Sequence, residues 1–430
     1  MSGAVAAHAA YNGSGTQGLA VTNKIHEDDG DVMSVFWNKN DTTRQLLFGS
    51  AFVEIPAGGG SGTNSVSSPS NVIFDVNNDI DCLGDMVLKL VYTNKNANAL
   101  SGAANVMTNQ KLITAINRVE IQVGTQIWQT FENSDLLSLA ATELSSGSYA
   151  DLSFQTSGGV GDNNLFETGS LDGQIGKDKT ATAFIPLKVF TKTLGPRLEN
   201  FAEQTESGYL MGAAPHQQVK VKVFTDTLTD GGTASTLALS LYAKNQVMCN
   251  EEREQMKTMP MGLPKRIKMT QNKHITAPST SGLWEVDIDN FSLYASHLII
   301  SIGKPDGSED KLFSSTAEVL LNSSSYSGKL PLGLLKLTGP TMGLFTNQYV
   351  AASGSAAALS TKTDREIFVF PLASQAYGGS SVPLNRFDNI RLKLAVPSGA
   401  FSSTAPTINV TCVGETTALY KGGAASLAMY

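Results

Sequence analysis

The side chains best suited to acid–base or metal chemistry near neutral pH are the five histidines, His8, His26, His216, His274 and His297, and they are scattered along the chain. No pair has the close spacing of a helical zinc motif, so a metal or nucleophile site would have to assemble from distant loops. Asp75-Val76-Asn77-Asn78-Asp79-Ile80-Asp81 places oxygens at alternate positions, as a calcium loop does. Its sixth position is Ile80 where the tight turn needs Gly, and its twelfth is Met86 where a bidentate Glu belongs, so strand and turn is the better reading. The acidic run His26-Glu27-Asp28-Asp29-Gly30-Asp31 reads as a solvated loop. Gly58-Gly59-Gly60-Ser61-Gly62 lacks the Lys and the following helix that phosphate binding needs, and reads as a flexible loop. Cys82, Cys249 and Cys412 are isolated thiols without CxxC spacing, expected to be small buried hydrophobes in a chain folded under reducing conditions. Sequons at Asn12, Asn40, Asn290, Asn322 and Asn409 are as frequent as chance allows in a Ser/Thr-rich chain. The sequence thus nominates no catalytic, cofactor-binding or metal-binding residue. The expectation is a protein that is not an enzyme and carries no cofactor.

The elements that would position any site are strands. Arg118-Val119-Glu120-Ile121-Gln122-Val123 alternates polar with apolar, the pattern of a half-buried strand. Val219 to Val223, Trp284 to Ile288, Ile390 to Leu394 and Ile408 to Cys412 repeat it, and sheets with one wet face are antiparallel. Met86 to Tyr92, Leu237 to Tyr242, Leu298 to Ile302 and Ile367 to Phe370 alternate less cleanly and are expected to be buried on both faces. Gly-, Ser-, Asn- and Pro-rich stretches punctuate them, several of them long: Ala57 to Ser70, Ser145 to Asp178, Gly303 to Asp310 and Gly339 to Thr363.

Only two segments read as helical. Asn133-Ser134-Asp135 caps a stripe of Leu136, Leu137, Ala140, Ala141 and Leu144, and Asn250-Glu251-Glu252 starts a short second helix ending near Lys257. Met259 to Pro264 follows the latter, between two strand-rich blocks. The expected organisation is an arm over 1–45, a β block over 46–249, a linking helix and linker over 250–263, and a second β block over 264–430. The fold class is all-β: two tandem antiparallel β-sandwiches with short inserted helices.

Composition narrows the function. The chain has 31 Lys+Arg against 38 Asp+Glu, a net charge of −7, and only 16% charged residues. With no basic cluster to track phosphates, direct nucleic-acid binding is not expected. Met1 to His8 has no charged n-region, so no signal peptide is expected, and no run reaches the ~18 apolar residues of a membrane span.

Read in order, the segments resemble those of another group. Val119-Glu120-Ile121-Gln122-Val123-Gly124 leading to Asp135-Leu136-Leu137 and Glu143-Leu144 resembles a stretch of the double jelly-roll major capsid proteins of nucleocytoplasmic large DNA viruses and their smaller virophage or polinton-like relatives. Asp81 and Asp85 to Leu88 precede it; Phe184 to Leu187, His216 to Val221, Tyr242 and Asn250 to Arg253 follow. Ile367 to Leu372, Asn385 to Asn389 and the tail from Gly422 to Tyr430 are similar to the closing strands. The resemblance implies two eight-stranded jelly rolls per chain. It further implies a structural major capsid protein whose homotrimers form pseudo-hexameric capsomers of an icosahedral shell. The implied partners are neighbouring capsomers, minor capsid and penton proteins, and an internal membrane reached through minor proteins. The implied location is the virion capsid, after synthesis in the host cytoplasm. The alternative is a secreted tandem jelly-roll protein that binds or cleaves carbohydrate.

Overall fold

The computed structural model describes residues 49–58, 63–65, 69–76, 80–93, 95, 115–143, 180–187, 189–190, 208–227, 235–247, 263–303, 312, 315–342, 365–373, 381–401 and 404–428. The arm over 1–45, the acidic run at 26–31, the helix expected at 250–257, Cys249 and most of the long loops lie outside them.

The first block carries β1 (Gly49–Ile55), β2 (Ser70–Val76), β3 (Cys82–Thr93), β4 (Ile116–Val123), β5 (Gln126–Glu132), helix α1 (Asn133–Glu143), β6 (Thr180–Leu187), β7 (Val219–Thr225) and β8 (Thr236–Val247). Its strands form two sheets, in the orders β1-β8-β3-β6 and β2-β7-β4-β5. First pairs with eighth, second with seventh, third with sixth and fourth with fifth, all antiparallel. That is the topology of one long hairpin rolled into a sandwich, a jelly roll.

The second block repeats it with β9 (Leu263–Thr276), β10 (Gly282–Asp287), β11 (Tyr294–Gly303), β12 (Thr316–Leu321), β13 (Ser324–Ser325), helix α2 (Leu332–Thr341), β14 (Arg365–Pro371), β15 (Ile390–Val396) and β16 (Thr407–Lys421). The sheet orders are β9-β16-β11-β14 and β10-β15-β12-β13, and a closing strand β17 (Ala424–Ala428) pairs back on β16. In both lobes the helix falls between the fifth and sixth strands. The duplication is one of fold, with no short-period sequence repeat beneath it.

Inward positions fill each sandwich. Leu88, Leu90, Tyr92, Ile185, Leu239 and Leu241 face Phe74, Val119, Ile121, Val221 and Val223 in the first lobe. Leu298, Ile300, Phe368, Phe370, Val410 and Cys412 face Trp284, Val286, Val319, Leu392 and Leu394 in the second. Full burial of one such side chain contributes ~1.5–3 kcal/mol. The outer faces of β2-β7-β4 and β10-β15 are polar ladders: Lys220 Nζ lies 3.3 Å from Asp75, and Arg391 bonds Asp287 at 2.9 Å and Glu285 at 3.0 Å.

Two expectations are corrected. Met86 to Tyr92 and Leu237 to Tyr242 are not buried on both faces. Val87, Lys89, Val91, Ala238, Ser240 and Tyr242, on the outer face of β1-β8-β3-β6, are only half-buried. By contrast Leu298 to Ile302 and Ile367 to Phe370 are buried throughout. The second correction is α2, a helix in a segment that the sequence did not read as helical. Gly333, Gly339 and Pro340 lower its intrinsic propensity, while Leu332, Leu335 and Met342 supply a buried stripe at helical spacing that packs it on β14.

Candidate functional site

The feature that sets the two lobes apart is the junction between them. Strand β5 is the edge of one first-lobe sheet and β9 the edge of one second-lobe sheet, so each offers unpaired backbone N–H and C=O groups. Amide side chains bridge the edges. The Gln129 amide donates to the Thr270 carbonyl at 2.8 Å and to Thr270 Oγ1 at 2.5 Å, and its oxygen accepts the Thr270 N–H at 2.9 Å. Gln129 therefore pairs with Thr270 as a neighbouring strand would. Asn272 reciprocates, donating to the Thr130 carbonyl at 3.0 Å.

Next along β9, His274 Nε2 lies 3.1 Å from Glu132 Oε2 and 3.5 Å from Asp135 Oδ2. Asp135, at the start of α1, is fully buried. It accepts the Glu132 N–H at 2.9 Å, which fixes the turn from β5 into α1, and the Thr411 hydroxyl of β16 at 3.1 Å. The hydrogen bond to Asp135 raises the His274 pKa above its ordinary value, outweighing partial burial. Helix α1 carries Ser134, Ser138 and Thr142 buried beside Asp135; the Ser138 and Thr142 hydroxyls bond back to carbonyls of their own helix, and α1 packs against β11 and β16.

A second seam lies toward the β16–β17 turn. Trp128, Phe190 and Tyr209 form an edge-packed aromatic cluster that continues to Tyr420 of the second lobe, with Tyr209 and Tyr420 rings 5.6 Å apart. Tyr420 Oη accepts the Leu210 N–H at 3.1 Å, and burial pushes its phenol well above the usual range. Gln217 Oε1 accepts the Ala425 N–H at 2.7 Å, and His216 N–H donates to the Gly423 carbonyl at 3.1 Å. Gly423 needs to be glycine: φ is +77° and a Cβ would sit 2.5 Å from the His216 ring.

The sequence-nominated residues sort accordingly. His216 and His274 lie in the two seams, whereas His297 is buried beside Ser296 Oγ at 2.8 Å. His8 and His26 are outside the described residues. Cys82 and Cys412 are both buried, and burial pushes the Cys412 thiol well up. Asp75 ends in a strand, paired with Lys220. Asn409 is buried at 3% exposure, out of reach of a glycan. Among the described residues no three His, Cys, Asp or Glu side chains gather as metal ligands, and no helix is long and apolar enough to cross a membrane. Gln129, Thr270, Asn272 and Thr411 were not singled out from the sequence. Thr270-Gln271-Asn272-Lys273-His274 alternates like a wet strand face, and only its uncharged amide and hydroxyl content hints that another surface covers it.

The outer face of β9-β16-β11-β14 is thus closed by the first lobe's β5 and α1. Solved structures share this fold. PBCV-1 VP54, whose crystal structure was fitted into a cryo-EM reconstruction of the virophage Sputnik, superposes with a TM-score of 0.64 at 12% identity, covering 90% of this chain and 98% of that one. The chain has the double jelly-roll fold. The Faustovirus major capsid protein matches this double jelly roll with a TM-score of 0.56 at 9% identity, over 86% of this chain and 90% of that one. A chain of Sulfolobus Turreted Icosahedral Virus matches with a TM-score of 0.51 at 7% identity, over 85% and 90%. No family model and no curated protein matches the sequence of this double jelly roll. Its likeness to these structures is one of fold.

Proposed function

We propose that this double jelly roll is the major capsid protein of an icosahedral virus, assembling as homotrimers that act as pseudo-hexameric capsomers. One observation carries the reading: a single chain holds two lobes of the same strand order, each with its helix in the same connection, set side by side. Three such chains supply six similar lobes, which tile a nearly hexagonal lattice with closed cyclic symmetry. Fold likeness to the PBCV-1 virus capsid and to the Faustovirus major capsid protein supports the same reading. The low charge suits a subunit that spends much of its surface against copies of itself.

Its partners would be neighbouring capsomers, minor capsid and penton proteins and, through them, an internal membrane, and its place the virion. The arm over 1–45 and the tail would tie each tile to its neighbours. Light scattering on the recombinant chain is the direct test. A trimer of about 137 kDa, three times 45.5 kDa, with hexagonal outlines in electron micrographs is expected. A stable 45.5 kDa monomer with glycan affinity would instead favour the carbohydrate-binding reading.

A further inference from the structure

Two kinds of bond hold β9 to the first lobe. Gln129 with Thr270, and Asn272 with Thr130, are neutral pairs that contain no group titrating near neutral pH. Toward the end of β9 the junction carries charge instead. There His274 of the second lobe meets Glu132 and Asp135 of the first, and a single nitrogen, Nε2, faces their carboxylates at 3.1 and 3.5 Å.

The surroundings decide what a proton on that nitrogen does. Asp135 is fully buried, and its other bonds come from neutral donors, the Glu132 N–H and the Thr411 hydroxyl. A buried carboxylate is costly without a positive partner, and His274 is the cation beside it. The side chains of Glu132 and His274 are 48% and 30% exposed, so protons reach the cluster without the lobes parting. From β16, Asn409 faces the ring as an uncharged partner. Lys273 precedes His274 on β9, and strand alternation turns it to the other face. Among the described residues the ring thus faces two acids and no second cation.

We propose that His274 is a proton-operated latch between the two lobes. Charged, it pins the end of β9 to β5 and α1; neutral, it frees that end, and the lobes hinge about the amide pairs at Gln129 and Asn272. Loss of the proton removes the charge attraction that crosses the seam and leaves Glu132 and Asp135 to repel each other, which favours Glu132 turning out to water. The cluster belongs to neither sandwich core, so both lobes keep their packing while the seam opens. The hydrogen bond to Asp135 raises the ring's pKa, so the latch is closed below the ordinary histidine value of ~6.5 and opens as pH rises through the folded value. All of its parts lie in one chain, so it works in a monomer and in an assembly alike.

Hydrogen exchange followed by mass spectrometry on the full chain tests this, with rates at pH 6 and pH 9 each divided by the intrinsic rate at that pH. The junction peptides contain the Glu132 N–H, held by Asp135, and the Thr270 N–H, held by Gln129. Their protection should fall about tenfold between pH 6 and pH 9, as the loss of one charge-assisted hydrogen bond implies. Peptides from β7 and β15, in the two sandwiches, should keep theirs. His274→Gln should show the low junction protection at both pH values. His274→Lys, charged at both, should show the high protection at both, which a purely steric role for the ring would not produce. Wild-type junction protection that is the same at pH 6 and pH 9 overturns the latch, as does a His274→Lys chain that loses it at pH 9. Junction and core peptides losing protection together also overturn it, since the lobes would then be unfolding and not hinging.

Discussion

Truncating Gln129 to Ala isolates the energetics of the lobe junction. Gln129 is 2% exposed, and its amide serves the N–H, the carbonyl and the hydroxyl of Thr270, itself 4% exposed. The backbone of β9 at Thr270 has no strand partner on that side, so the truncation leaves a buried N–H and a buried C=O without their protein partner. Each orphaned group costs ~1–3 kcal/mol, and the side chain leaves a cavity besides, so a loss of about 3–5 kcal/mol of coupling between the lobes is expected. Thr270→Val removes only the hydroxyl's share and should cost about 1 kcal/mol. The two combined should cost clearly less than their sum, as for groups sharing one network. Urea unfolding followed by tryptophan fluorescence reads this out, since Trp128 adjoins the junction and Trp284 lies in the second core. The wild type should unfold in one transition and Gln129→Ala in two, as the lobes decouple. A Gln129→Ala protein that keeps one transition with its midpoint unchanged would show that the edge-to-edge amide pairing contributes nothing, and would refute the account of the junction.

Other consequences concern the same seams. With its pKa raised by Asp135, charged His274 stabilises the folded chain fully below its unfolded pKa of ~6.5, and this is lost as pH rises through the folded value. The groups facing it are Glu132, Asp135 and Asn409. Wild type should therefore exceed His274→Gln in urea midpoint at pH 5.5 and match it at pH 9; equal midpoints at pH 5.5 would count against the cluster. Tyr420→Phe removes the acceptor of the buried Leu210 N–H and should lower stability by ~1–3 kcal/mol, measured by the same denaturation. Gly414→Ala would place a Cβ 2.4 Å from the Tyr294 carbonyl oxygen, where strand β11 shifts register, so soluble expression should collapse; a normal melting curve would show that the two strands can part.

Much of the fold was legible from the pattern of residues. Period two marked β4, β7, β10 and β15, because one face of each meets a core and the other meets water or a polar ladder; Ile408 to Cys412 of β16 alternates the same way but is buried on both faces, its Asn409 and Thr411 lying under the first lobe. Asp135 with its apolar stripe marked α1. Helix α2 was hidden, since Gly333, Gly339 and Pro340 argue against a helix that exists only because Leu332, Leu335 and Met342 find a sheet to pack on. Met86 to Tyr92 and Leu298 to Ile302 both read as runs buried on both faces, yet only the second is.

The amino-acid sequence by itself determined the fold class and the two β blocks, because alternation, turn chemistry and helix capping act over a few residues. The tertiary structure alone decided which sheet face became a junction. Gln129 and Thr270 lie 141 positions apart, and Asp135 and Thr411 lie 276 apart. Local spacing holds no record of a partner that far away, so the surfaces by which one lobe recognises another emerge only when both sandwiches are built.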